Sequence, residues 1–200
     1  ACHACDRLIK DVSSTMGTSL KKVAKKAKDY KYVLLVMRHA KAEPFGDGGD
    51  AGRVLTDKGR KQAKAVAKGL AAHKLVPTRI ACSAATRARQ TCDRMLKVFG
   101  DDPKVDYHQS LYEGGVQAVF DELAQTKEKH RELLVLGHEP TVSIACQWMA
   151  SSESDPTLLD MLNLGMSPAS IAVFGANEPF DKWQLHGGEL IALLTAKDFD

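Results

Sequence analysis

The chain lacks any apolar stretch approaching the ~18–20 residues needed to cross a bilayer as a helix, and its N-terminus has no apolar core of the secretory-signal kind. Those two absences argue against a helical membrane span and a visible leader. The sequence starts at Ala1 rather than Met, which fits a targeting segment lying upstream of it. The five cysteines are an odd number, and Cys82, Cys92 and Cys146 fall within apolar segments, where free thiols behave as small hydrophobes. A disulfide framework is therefore not expected, and the usage fits a reducing compartment, the cytoplasm or an organelle lumen. Cys2-His3-Ala4-Cys5 has the spacing of a redox or metal motif, but no second Cys/His pair at zinc-finger distance follows it.

What is present is enough for a full core: 44% of the 200 residues are hydrophobic and 26% charged, the balance of one globular domain. The formal net charge of +3 hides an asymmetry, because residues 1–31 hold eight Lys/Arg against three Asp/Glu, leaving residues 32–200 at −2. Lys21, Lys22, Lys25, Lys26 and Lys28 surround Leu20, Val23, Ala24 and Ala27, the pattern of an amphipathic helix with a solvated basic face. We therefore divide the chain into a basic, partly helical extension over residues 1–31 and a single domain over residues 32–200. The extension could touch an acidic surface, but no interleaved aromatics support nucleic-acid binding.

Within the domain, apolar runs alternate with helical periodicity. Residues 33–42 read Val-Leu-Leu-Val-Met-Arg-His-Ala-Lys-Ala, a strand buried on both faces that ends in Arg38-His39. A glycine-rich loop covers residues 43–53. Thr56 or Asp57 then caps a helix marked by Ala63, Val66, Ala67 and Leu70. A strand over residues 79–82 leads through residues 83–87 into a helix that carries Cys92, Met95 and Phe99 and stops near Gly100. Residues 105–111 are extended, residues 116–124 helical, and residues 133–136 a third buried strand ending at Gly137-His138, with a helix opening at Glu139-Pro140. Residues 171–175, 183–186 and 190–195 read as closing strands. The alternation predicts an α/β three-layer sandwich, a mostly parallel central sheet with helices on both faces.

Arg38-His39, residues 83–87 and His138 all follow strand ends, the edge where open α/β sheets collect ligands. Two arginines and two imidazoles converging on one spot suit a dianionic phosphoryl group. The segments Arg38-His39-Ala40-Lys41-Ala42, Leu55-Thr56-Asp57-Lys58-Gly59, Ser83 with Arg87-Ala88-Arg89-Gln90-Thr91, and Gly137-His138-Glu139-Pro140 resemble the histidine phosphatase superfamily, whose fold is that of phosphoglycerate mutase. They are most similar to its SixA-type phosphohistidine phosphatases.

The resemblance implies a phosphohydrolase working through a covalent phosphohistidine on His39. Arg38, Arg87 and His138 hold the phosphoryl oxygens, and neither metal nor cofactor is implied. The expected partner is a phosphorylated protein or a small phosphate compound. Lys41, Ser83 and Thr91 are candidate substrate contacts, although Ser83 could equally cap the following helix and Thr91 satisfy a backbone carbonyl. Glu113 is a candidate general acid or, alternatively, a helix-cap glutamate. A catalytically silent phosphate- or phosphoprotein-binding module of the same fold is the competing reading. The complete quartet favours the enzyme.

Overall fold

The computed structural model describes residues 20–200, so Cys2, His3, Cys5 and the first nineteen positions lie outside the described residues. The helix read from the lysine-rich stretch is α1, Leu20–Ala27. Its apolar stripe of Val23, Ala24 and Ala27 is buried in the same core as the domain that follows, and Lys26 Nζ reaches Glu189 at 3.0 Å.

β1 (Tyr32–Arg38) is followed by α2 (Asp57–Ala72), β2 (Arg79–Ser83), α3 (Thr86–Phe99) and β3 (Lys104–His108). The chain returns through α4 (Ser110–Glu113), α5 (Gly115–Gln125), β4 (Glu132–Gly137), α6 (Thr141–Met149), α7 (Pro156–Asn163), β5 (Ile171–Ala176) and β6 (Glu189–Leu194). The six strands form one sheet in the order β3-β2-β4-β1-β5-β6. The β1–β4, β2–β4 and β2–β3 pairings are parallel, and β5 and β6 add an antiparallel edge.

The layering follows from strand periodicity. Val33, Leu35 and Met37 point to one face and pack with Val23, Val66, Leu70 and Met95 of α1 to α3. Tyr32, Leu34 and Val36 point to the other and pack with Val119, Leu123, Cys146 and Leu162 of α5 to α7. The expected three-layer sandwich is the observed architecture. Outward crossovers place α2 and α3 on one face, and the return through α5 and α6 fills the other, as right-handed connections require.

Local signals hold at the boundaries: Thr56 Oγ1 accepts from Gly59 N at 3.0 Å as the cap of α2, and α3 ends at Gly100 with φ 75°. Gly59 is also a close-approach residue, since a Cβ there would collide with the Lys41 carbonyl oxygen. One expectation needs correcting. Residues 183–186 are not a strand: Trp183 closes a 3₁₀ turn and sends its Nε1–H to Glu178 O at 2.8 Å, and His186 takes a left-handed φ of 60° that no strand accepts. A helix that the sequence patterning did not single out, α7, is opened by Asp155 accepting from Thr157 N at 2.9 Å with Pro156 in its first turn.

Leu34 lies in the central strand with no solvent exposure. Leu34→Ala is expected to lower unfolding stability by about 2–5 kcal/mol, read as a shift in the urea midpoint at constant slope; a shift worth less than about 1 kcal/mol would show that the layer can collapse around the cavity.

Candidate functional site

The parallel register of β1 on β4 sets Arg38 opposite Gly137, so the residues that follow, His39 and His138, leave the sheet side by side. Their ring centroids are 5.2 Å apart. On the other side of β4, β2 ends at Ser83, and α3 brings Arg87 to the same edge one turn later. The structure therefore gathers Arg38, His39, Arg87 and His138 at one sheet edge. His39, Arg87 and His138 are all buried, with 5%, 5% and 8% exposure.

The hydrogen bonds at His39 settle which ring nitrogen is free. Arg87 Nε–H points at Nε2 from 3.2 Å, and the guanidinium can only donate, so Nε2 carries the lone pair. The proton then resides on Nδ1, which donates to the Ala40 carbonyl oxygen at 2.7 Å. Burial pushes the imidazole pKa down to about 3, opposed by the Ala40 carbonyl and assisted by His138, Arg87 and Arg38. A neutral ring with a fixed tautomer and an available Nε2 is what nucleophilic attack requires.

His138 is likewise held neutral, pushed down to about 4 by burial and then by the Arg87 charge. Its Nε2 pairs with Ser83 Oγ at 2.7 Å, and Ser83 Oγ accepts from Ala85 N at 3.2 Å. Among the described residues His138 Nδ1 and Arg38 Nε are buried without a hydrogen-bond partner, a condition native interiors rarely leave unexplained. Arg38 is fixed from its other end, where Nη1 donates to Met166 O at 2.8 Å. Met166 N in turn donates to Glu139 Oε2 at 3.1 Å, and the same carboxylate accepts from Ser143 N and Oγ at the start of α6.

The remaining sequence candidates fall into different places. Thr91 is fully buried and receives Ala40 N at 3.1 Å while donating to Arg87 O at 2.8 Å, so it ties the His39 loop to the arginine helix. Ser83 orients His138 and caps the turn into α3. The Lys41 side chain is exposed, and its backbone N–H is held by Gln62 Oε1 at 3.0 Å. Glu113 is exposed at the end of α4, and its carboxylate accepts from Gln109 Nε2 at 3.4 Å.

Three participants escaped the sequence reading. Asp50, in the glycine-rich loop, accepts from Arg87 through its carbonyl oxygen at 2.8 Å and its carboxylate at 3.1 Å. The Tyr112 hydroxyl donates to the same carboxylate at 2.7 Å, and Arg53 reaches its other oxygen at 3.1 Å. The Tyr112 bond foremost, with Arg53 and Arg87, pulls the Asp50 carboxyl down to about 2. Tyr112 also stacks edge-on to His138 at 5.5 Å and lies 5.8 Å from the Arg87 guanidinium carbon. Glu139 is the third, acting through Met166 on Arg38. Asp50 and Tyr112 sit in non-periodic segments, so patterning could not single them out; Glu139 stood inside a recognised motif without an assigned task.

Residues 34–116 match the family model of the histidine phosphatase superfamily (branch 1). An uncharacterized protein of Mycobacterium tuberculosis is 34% identical over 139 residues, 68% of this chain and 85% of that protein. Among solved structures, one described as a putative phosphohistidine phosphatase SixA from Nakamurella multipartitia aligns with a TM-score of 0.70 at 29% identity, covering 82% of this chain and 95% of that one. A second, described in the same words and from Agrobacterium tumefaciens, aligns at 0.69 and 24% identity, over 83% and 99% of the two chains.

Both imidazoles titrate below their ordinary value of 6.5 in the folded chain. The unfolded chain therefore binds more protons below pH 6.5, and their contribution to stability falls as pH drops from 6.5 toward 4 and 3. The wild-type urea midpoint is expected to decline more steeply from pH 7 to 4 than that of a His39→Gln/His138→Gln variant. Parallel curves would refute the burial account.

Proposed function

Because the chain belongs to the histidine phosphatase superfamily, we propose that it is a SixA-like phosphohydrolase that passes the phosphoryl group through His39. The observation that carries this reading is the unprotonated Nε2 of a neutral, tautomer-fixed imidazole, whose lone pair accepts from Arg87 Nε. In the first step Nε2 attacks phosphorus, a P–N bond forms and the bond to the leaving group breaks. In the second, water attacks the phosphohistidine, releases inorganic phosphate and returns the lone pair to Nε2. Arg38, Arg87 and His138 meet the negative charge on the transferring group in both steps, the electrostatic positioning on which phosphoryl transfer chiefly depends. The reading calls for no metal or cofactor.

Asp50 bears on which substrates fit. It engages both terminal nitrogens of Arg87, so an incoming phosphoryl group has to compete for that fork. Its carboxyl, held at about 2, is ionised at neutral pH and cannot donate a proton to a leaving group. Glu113 is exposed and paired with Gln109. An alkoxide leaving group needs a positioned acid, whereas an imidazole leaving from a phosphoramidate can take its proton from solvent. That asymmetry supports a phosphohistidine substrate over a phosphate ester.

His39→Ala is expected to cut hydrolysis of p-nitrophenyl phosphate and of a phosphohistidine-bearing protein by ~10³-fold or more and to abolish trapping of labelled phosphoenzyme; turnover that survives would remove the covalent mechanism. Glu113→Gln is expected to leave phosphoramidate hydrolysis intact. A loss confined to esters would assign the general acid to Glu113.

A further inference from the structure

A groove of about 920 Å³ is lined by four lysines, Lys41, Lys58, Lys61 and Lys197. All four are exposed, and among the described residues none is engaged in an ion pair. Among the described residues Asp200 is the single carboxylate residue of the lining. The basicity is local, because residues 32–200 as a whole are net negative. Four unneutralised ammonium groups around one depression repel one another and raise the local concentration of anions.

The groove shares walls with the catalytic edge. Lys41 follows His39 by two residues. Ser167 and Pro168 line the groove in the same loop in which Ala169 N donates to His39 O at 3.1 Å and Ser170 O accepts from Arg38 N at 3.1 Å. The lysines come from three separate elements: the segment after β1, the first turns of α2 and the 3₁₀ turn Ala196–Phe199. A compact phosphate ester seated on the quartet would leave most of them unused. An extended chain running outward from the phosphorylated side chain would meet them in succession. Among the described residues no aromatic side chain lines the groove, so these offer no stacking platform of the kind that single-stranded nucleic acids use.

We propose that this groove is the docking surface for an acidic polypeptide segment flanking the phosphorylated residue, which makes the substrate a phosphoprotein. The inference rests on the phosphatase reading for its consequence, but the groove's affinity can be measured without turnover.

The test uses the full chain and a fluorescein-labelled Asp/Glu-rich peptide, with and without a phosphohistidine, beside p-nitrophenyl phosphate. The unphosphorylated peptide is expected to bind in anisotropy titrations, more weakly as salt rises. Lys58→Glu/Lys61→Glu/Lys197→Glu is expected to weaken it by on the order of tenfold or more, raising KM for the phosphopeptide alike and leaving kcat/KM for p-nitrophenyl phosphate within about twofold. Lys58→Gln/Lys61→Gln/Lys197→Gln, with a thermal melt of each variant, separates lost charge from lost fold. Unchanged peptide affinity in the charge-reversed variant overturns the proposal, as does polyuridylate binding more tightly than the peptide. If wild type hydrolyses neither substrate, the phosphatase reading falls while the anisotropy still decides the groove.

Discussion

The site depends on one constraint, the parallel register of β1 against β4 that pairs Arg38 with Gly137. A shift by one residue would turn every side chain of β1 to the opposite layer, placing Leu34 among the partners of Leu35. Both faces of these strands are apolar and fully covered, so burial alone would tolerate that slip better than in a half-exposed sheet. What fixes the register is the set of polar bonds just beyond the strands: His39 N to Gly137 O at 3.1 Å, Arg38 N to Ser170 O, and Ala169 N to His39 O. The edge that carries the candidate site and the register thus specify each other. Once they are set, the two imidazoles have little freedom in how they face one another.

Burial then does the electrostatic work. Two guanidinium groups beside two imidazoles would make a strongly repulsive cluster if all four were charged. Desolvation, the leading cause of both histidine shifts, keeps the rings neutral and limits the cationic charge to the arginines. Arg87 is further balanced by Asp50, an ion pair whose carboxylate is half exposed. The loop that supplies Asp50 is closed at its base by Glu43 N donating to Val54 O at 2.8 Å and by the Ala42–Leu55 bridge. Its glycines at 48 and 49 take φ of 79° and 101°, conformations that side-chain-bearing residues rarely adopt. Glycine richness in this loop therefore has a backbone reason that is separate from mobility.

Much of this was legible before the fold was known, and for a definable reason. Residues that punctuate a periodic segment carry their position with them: Arg38 and His39 end a run of five apolar residues, His138 ends another, and Thr56 stands where a cap must. The mostly parallel sheet with helices on both faces followed from the β-then-α rhythm, whereas the strand order is known only from the fold. What stayed hidden lies in non-periodic stretches. Asp50 and Tyr112 reach the site through tertiary packing across 62 residues of sequence, and α7 has too few core positions for its period to stand out above the polar loop around it. The strand expected at residues 183–186 failed for the converse reason. Trp183 and Leu185 alternate as a strand would, but Gly188 packs against the Trp183 ring and the left-handed His186 breaks the extension.

The charge pattern around the site carries one more step. With both histidines neutral, the quartet holds the charges of Arg38 and Arg87, and a dianionic phosphoryl group brings two negative charges into the same buried space. An opposite charge at that distance favours the protonated imidazole and works against the desolvation that holds His138 near 4. Under the phosphatase reading, then, His138 is a group whose proton affinity rises when substrate arrives, while His39 is prevented from following because its Nε2 becomes the attacking atom. Ser83, bonded to His138 and to the first turn of α3, keeps that ring in place as its charge changes. The two histidines are similarly buried and share Arg38 and Arg87 as neighbours; under the phosphatase reading their different tasks follow from what their other nitrogen touches, a backbone carbonyl for His39 and a serine hydroxyl for His138.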